Sequence, residues 1–194
     1  MEQVRSFIAI ELPQEVKTCL SDLERELKRG RHSAIKWVSP EGIHLTLKFM
    51  GNVETDKHDA VVKAIREAGE GIVSFHLELG ELGAFPNFGR PRVAWVGLKG
   101  ALDRLIALQK RLDSLLSPLG FPAEERPFSP HLTLSRVRDD ISVTDRQNFG
   151  QLLQKTKFEG GCGFLVESVN IMQSQLTPAG AIYTRLDSVP LLKG

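Results

Sequence analysis

The tetrapeptide His-Leu-Thr-Leu occurs at positions 44–47 and again at 131–134. The chain holds five histidines, and ordinary residue usage gives odds of roughly one in a few hundred that two of them share the next three residues. In an extended strand successive side chains point to opposite faces, so His44 and Thr46 share one face and Leu45 and Leu47 the other. The same alternation sets His131 with Thr133 against Leu132 and Leu134. Each copy therefore places an imidazole beside a hydroxyl and anchors that surface with two leucines. Imidazole can give or take a proton near neutral pH, and two of them flanking one phosphorus centre divide a proton-transfer reaction between them. The threonine hydroxyls are suited to donate to non-bridging phosphate oxygens.

Such a pair needs no metal, because the second imidazole supplies the acid that a metal would otherwise replace. No HExxH, HxxxH, DxD or Walker motif is present, and the sequence gives no sign of a nucleotide cofactor. One HxTx alone reads more readily as a structural histidine. Two copies, each after a proline-containing turn (SPEGI and FSP), point to repeated structure and a paired site. The other histidines read as solvated or satisfied: His32 in a basic helix end, His58 on a helix face, His76 in an alternating strand. Cys19 and Cys162 lie far apart and neither belongs to a CxxC, which predicts two buried free thiols in a reducing cytosol and neither a zinc site nor a redox pair.

The elements that must position the motifs follow from periodicity. RSFIAIEL (5–12) reads as a strand ending at Pro13, and Val16, Leu20, Leu23 and Leu27 predict a helix from Pro13 to Gly30. AIKWV (34–38) and IHLTLKF (43–49) read as strands around the turn SPEG, followed by a helix over 55–69. FHLELGELGAF (75–85) and RVAWVGL (92–98) flank the turn FPNFGRP. Leu102, Leu105, Ile106, Leu108, Leu112, Leu115 and Leu116 form a helical stripe ending near Gly120. The second HLTL opens a strand after RPFSP, a short helix covers 144–155, and FLVESVNIMQS (164–174) and AIYTRL (181–186) close the chain as strands. Most strand neighbours are joined by connections too short for a parallel crossover, which predicts an α+β fold with antiparallel sheets.

The composition is that of an ordinary globular protein: 194 residues, 41% apolar and 25% charged. With 25 basic and 24 acidic side chains the formal charge is +1, so a nucleic-acid partner would be held by a local patch and not by a global field. No low-complexity linker divides residues 1–194, which predicts one domain of two closely packed lobes. No basic-then-apolar leader follows Met1 and no apolar run approaches membrane length, so the expectation is a soluble, cytoplasmic protein without a membrane partner.

Several long segments resemble one family in the same order: RSFIAIELP, KWVSPEGIHLTLKFMGNV, GAFPNFGRPRVAWVGL, GFPAEERPFSPHLTLSRV and SQLTPAGAIYTRL. They look like the RNA 2',3'-cyclic phosphodiesterases, also called 2'-5' RNA ligases, of the two-histidine phosphoesterase superfamily. The resemblance implies a bilobal α+β fold, with two similar lobes whose antiparallel sheets face a central cleft, helices outside, and one HxTx motif (44–47 and 131–134) per lobe. It implies hydrolysis of an RNA 2',3'-cyclic phosphate end to a 2'-phosphate, and some members join or cleave 2'-5' linkages between tRNA halves; the protein itself is expected to be a monomer. Joining of tRNA halves, or binding of RNA ends without turnover, are the alternatives. Carried over by motif, His44 matches the proton donor to the leaving 3' oxygen, His131 the proton acceptor acting on water, and Thr46 and Thr133 the phosphate-binding hydroxyls. No metal and no cofactor are implied. Arg136, Arg126 and Phe128 are substrate-binding candidates, although strict alternation sets Arg136 on the leucine face unless the strand bulges. Lys48 is a further candidate; Phe85 and Phe88 could stack on bases, and Arg29, Arg31, Arg90 and Arg92 could follow the backbone.

Overall fold

The opening apolar run forms strand β1 (Gln3–Glu11) in a computed structural model that describes residues 3–30, 34–158, 160–178 and 180–194. Pro13, which has no N–H to leave unpaired, precedes α1 (Gln14–Lys28), and the stripe Val16, Leu20, Leu23, Leu27 is buried as its spacing requires. Next come β2 (Ile35–Trp37), a single 3-10 turn at Pro40–Gly42, and β3 (His44–Glu54). A second 3-10 turn (Thr55–Lys57) leads into α2 (His58–Gly69), then β4 (Phe75–Phe85), β5 (Val93–Gly100) and α3 (Leu102–Leu116). α3 buries Leu105, Leu108, Leu112 and Leu116. It stops in the turn Ser117–Leu119, after which Gly120 takes a φ of 95° that a Cβ would oppose. β6 (His131–Val137) and α4 (Val143–Lys155) follow, the latter capped by Ser142, whose hydroxyl accepts the Asp145 N–H at 3.0 Å. β7 (Gly163–Val166), β8 (Ser168–Thr177) and β9 (Gly180–Pro190) complete the chain.

These strands form two antiparallel sheets, ordered β3-β1-β8-β9 and β2-β6-β5-β4-β7. The run 164–174 is not one strand. It divides at Glu167, with β7 pairing β4 in the second sheet and β8 pairing β1 in the first; apolar periodicity does not reveal a change of partner. α2 and α3 pack on each other and behind the first sheet, α2 against β9 and α3 against β3, while α4 lies against β4. The helix-facing sides share one continuous apolar core. The fold is α+β, two lobes of antiparallel sheet with helices outside. Among the described residues no helix is long and apolar enough to cross a membrane.

Two expectations change. Cys19 and Cys162 are not separate free thiols: a disulfide joins them, with Cα atoms 6.7 Å apart. Folding brings the middle of α1 beside the residues that enter β7, an approach that spacing along the chain could not disclose. Arg31 and His32 lie outside the described residues.

Candidate active site

Both motifs sit on strands as alternation requires. Leu45, Leu47, Leu132 and Leu134 are buried in the core, and His44, Thr46, His131 and Thr133 are half-buried on the opposite face. Each motif then carries the same irregularity. The partners of β3 step from Thr46↔Ala9 to Lys48↔Ile8, leaving Leu47 unopposed; those of β6 step from Thr133↔Trp95 to Ser135↔Ala94, leaving Leu134 unopposed. A bulge of this kind turns two consecutive side chains to one side. Lys48 (2% exposed) and Ser135 (0%) consequently lie buried with the leucines. Alternation resumes one residue out of phase, which returns Phe49 and Arg136 to the histidine face; both are exposed.

The two motif strands belong to different sheets, yet β3 and β6 approach one another, with Cα pairs within 8 Å. His44 Nδ1 lies 2.8 Å from the Gly42 carbonyl oxygen and His131 Nδ1 lies 2.7 Å from that of Ser129, two residues upstream in both cases. A carbonyl only accepts, so Nδ1–H must donate. Each ring therefore keeps Nε2 for chemistry: a base when neutral, an acid when charged. Neither Thr46 nor Thr133 engages its hydroxyl with another described residue.

Aromatic rings frame both imidazoles. The Phe7 ring is 4.6 Å from that of His44, and Tyr183 meets it edge-on at 4.8 Å. Phe85 meets His131 edge-on at 5.0 Å, with Trp95 behind at 6.3 Å. Burial pushes the His44 imidazole below its ordinary value of 6.5, and the bond to Gly42 opposes this in part.

The remaining candidates divide. Arg136 is on the histidine face without an ion pair among the described residues. Lys48 is not available to a ligand: on the core side of the bulge, its Nζ donates to Asp113 Oδ1 at 2.6 Å and to the Pro122 carbonyl. Arg126 is exposed in the connection before β6, and Phe128 and Phe88 are half-buried with one side packed against the core. Phe85 does reach the site. Arg92 pairs with Asp139 at 3.5 Å, and Arg29 and Arg90 are exposed. His58 lies 3.3 Å from Asp187, and His76 is exposed. Sequence reasoning missed Phe7, Phe49, Trp95 and Tyr183. Alternation in FIAIE could have set Phe7 opposite Ile8 and Ile10, but Trp95 and Tyr183 reach the histidines through sheet order, which leaves no local signal. An open depression of about 540 Å³ beside α3, lined by Lys110, Asp113, Ser114, Ser117, Pro118 and Ala123, shares no residue with the motifs. Among the described residues no three His, Cys, Asp or Glu side chains assemble as a metal-ligand set.

A two-lobed α+β scaffold with an HxTx strand in each lobe defines the two-histidine phosphoesterases. Within that class the chain belongs to the LigT-like phosphoesterase family, whose sequence model matches it twice, over 10–95 and 96–183. It is 31% identical over 185 residues to the RNA 2',3'-cyclic phosphodiesterase of Methanothermobacter thermautotrophicus, covering 95% of this chain and 97% of the relative. It is 35% identical over 181 residues to that of Thermotoga maritima, covering 93% and 91%. The crystal structure of Escherichia coli LigT in complex with 3'-AMP matches with a TM-score of 0.74 at 26% identity, over 98% of this chain and 99% of the other.

Proposed function

We propose that this protein is a metal-independent RNA 2',3'-cyclic phosphodiesterase in which both lobes of one monomer act as a single catalytic domain. The observation that carries the reading is the common wiring of the two motifs, an Nδ1–H held by a carbonyl two residues upstream and Nε2 left for the substrate. The names of the relatives supply the substrate class. In the reaction, His131 Nε2 takes a proton from water as the water oxygen bonds to phosphorus. The bond from phosphorus to the 3' oxygen breaks, and His44 Nε2–H protonates that oxygen, leaving a 2'-phosphate and a 3'-hydroxyl. Thr46 and Thr133 donate to the non-bridging oxygens, Arg136 adds positive charge on the same face, and the exposed Phe49 ring offers a base a stacking surface. Arg126 could meet RNA only beyond the motif strands.

Burial favours neutral His44 in the free protein, whereas the donor role needs the cation. The phosphodiester anion, once bound, favours that cation, so His44 takes up its proton with the substrate.

An oligonucleotide ending in a 2',3'-cyclic phosphate, incubated with the protein and a chelator, tests the reading. His44→Ala and His131→Ala should each lower kcat by roughly 10²–10⁴-fold with the fold retained. The pH profile of the parent should be bell-shaped, with apparent pKa values that belong to the pair. Undiminished turnover in either variant would end the proposal. Reaction with tRNA halves distinguishes ligation, which uses the same groups with a ribose hydroxyl in place of water.

A further inference from the structure

β9 is the far edge strand of the first sheet, with β8 and β1 between it and β3, yet its Tyr183 lies on the first motif. The phenol ring meets His44 at 4.8 Å and 79°, and Phe7 at 5.4 Å and 83°. Phe7 covers the imidazole from below at 4.6 Å and 31°. A Cβ on Gly42 would stand 3.4 Å from Tyr183 Cε2, so the phenol also rests against the residue whose carbonyl fixes Nδ1. A ring held by one hydrogen bond can still tip about it; rings on its face and its edge remove that freedom and exclude water.

We propose that Tyr183 is a positioning residue for His44, completing with Phe7 and the Gly42 carbonyl a cage that fixes the direction of Nε2. The depressed imidazole pKa agrees with water being kept off the ring. The charged groups around the ring are mostly engaged elsewhere. Glu11, the β1 partner of His44, is bound by Asn170 at 3.0 Å and by Arg185 of β9 at 3.2 Å. Glu41 of the preceding turn is held by Lys17 at 3.0 Å and Gln14 at 3.2 Å. Among the described residues the titratable group in ring contact with His44 is the Tyr183 phenol itself, and His131 lies on β6, the strand that approaches β3. The kinetic consequence rests on the acid/base reading of His44; the titration of its imidazole does not.

The test compares Tyr183→Leu, Tyr183→Phe and Ile182→Ala, the last removing an exposed apolar side chain of the same strand. Tyr183→Leu should lower kcat by roughly 10–100-fold with KM changed by less than about threefold. The NMR titration of His44 should move up toward about 6.5. Tyr183→Phe, which keeps the ring, should restore both, and Ile182→Ala should reproduce neither. Tyr183→Met replaces the leucine variant if that protein does not fold. A parent-like kcat and His44 titration in Tyr183→Leu, or an equal loss in Ile182→Ala, overturns the inference. A parent without hydrolytic activity defeats the functional reading alone, and the titration then decides the role of Tyr183.

Discussion

At the scale of single residues, an imidazole whose Nδ1–H is committed to a carbonyl has one tautomer when neutral and one nitrogen to offer. His44 and His131 share this arrangement, so what distinguishes them is their surroundings, Phe7 and Tyr183 for one and Phe85 and Trp95 for the other. The burial of His44 has a thermodynamic consequence. Its native pKa lies below the ordinary 6.5, so between the two values the unfolded chain binds more protons and stability rises with pH. The contribution is complete above the unfolded value and is lost as pH falls through the native one. Urea unfolding of the parent and of His44→Gln should therefore show a stability difference that shifts in the parent's favour from about pH 5 to about pH 7. A flat or opposite trend would mean that the ring is not desolvated. The strand placement of the two histidines was legible because a repeated HxTx is a local pattern. Their hydrogen-bond partners were not, since a backbone carbonyl carries no sequence signature, and Tyr183 is separated from His44 by most of the chain.

At the scale of elements, the decisive feature is the bulge after each motif. Alternation reads correctly as far as Leu47 and Leu134 and fails at Lys48 and Ser135, because one unopposed leucine reverses the phase. That reversal carries Arg136 to the histidine face and sinks Lys48 beneath it. Lys48 can be buried because Asp113 Oδ1 on α3 accepts a hydrogen bond from its ammonium at 2.6 Å, and Asp113 accepts another in turn from Gln109 Nε2 at 2.7 Å. The network ties the helix behind the sheet to the turn of strand that exposes Thr46 and Phe49. Removing one partner of a buried ion pair leaves the other charge uncompensated, and Asp113 is only 18% exposed. Lys48→Met should cost about 3 kcal/mol in denaturant unfolding, and adding Asp113→Leu should recover much of it. Additive losses in the double variant would show that the two side chains do not act as a pair.

At the scale of the molecule, the chain passes between the sheets repeatedly, and the disulfide ties two of those passages. α1 carries the chain from β1 in the first sheet to β2 in the second, and β7 is the last strand of the second sheet before β8 returns to the first. Cys19 lies on α1 and Cys162 immediately before β7, so the cross-link spans 143 positions and encloses both motifs. The two-lobed α+β plan was legible from short connections and from the repeated motif; this closure was not, because it depends on which layer α1 joins. Closing so long a loop restricts the unfolded chain by up to about 5 kcal/mol in the loop-entropy account, and measured losses from removing such a link run to about 2–5 kcal/mol. Reduction under native conditions, or Cys19→Ser with Cys162→Ser, should lower the unfolding free energy by an amount in that range. Neither cysteine borders a motif, so turnover measured well below the melting transition should persist. Thiol titration of the unreduced protein in denaturant is the direct check. No free thiol is expected, and two per chain would restore the reading of independent cysteines and remove the long-range constraint from the account of how the lobes are held together.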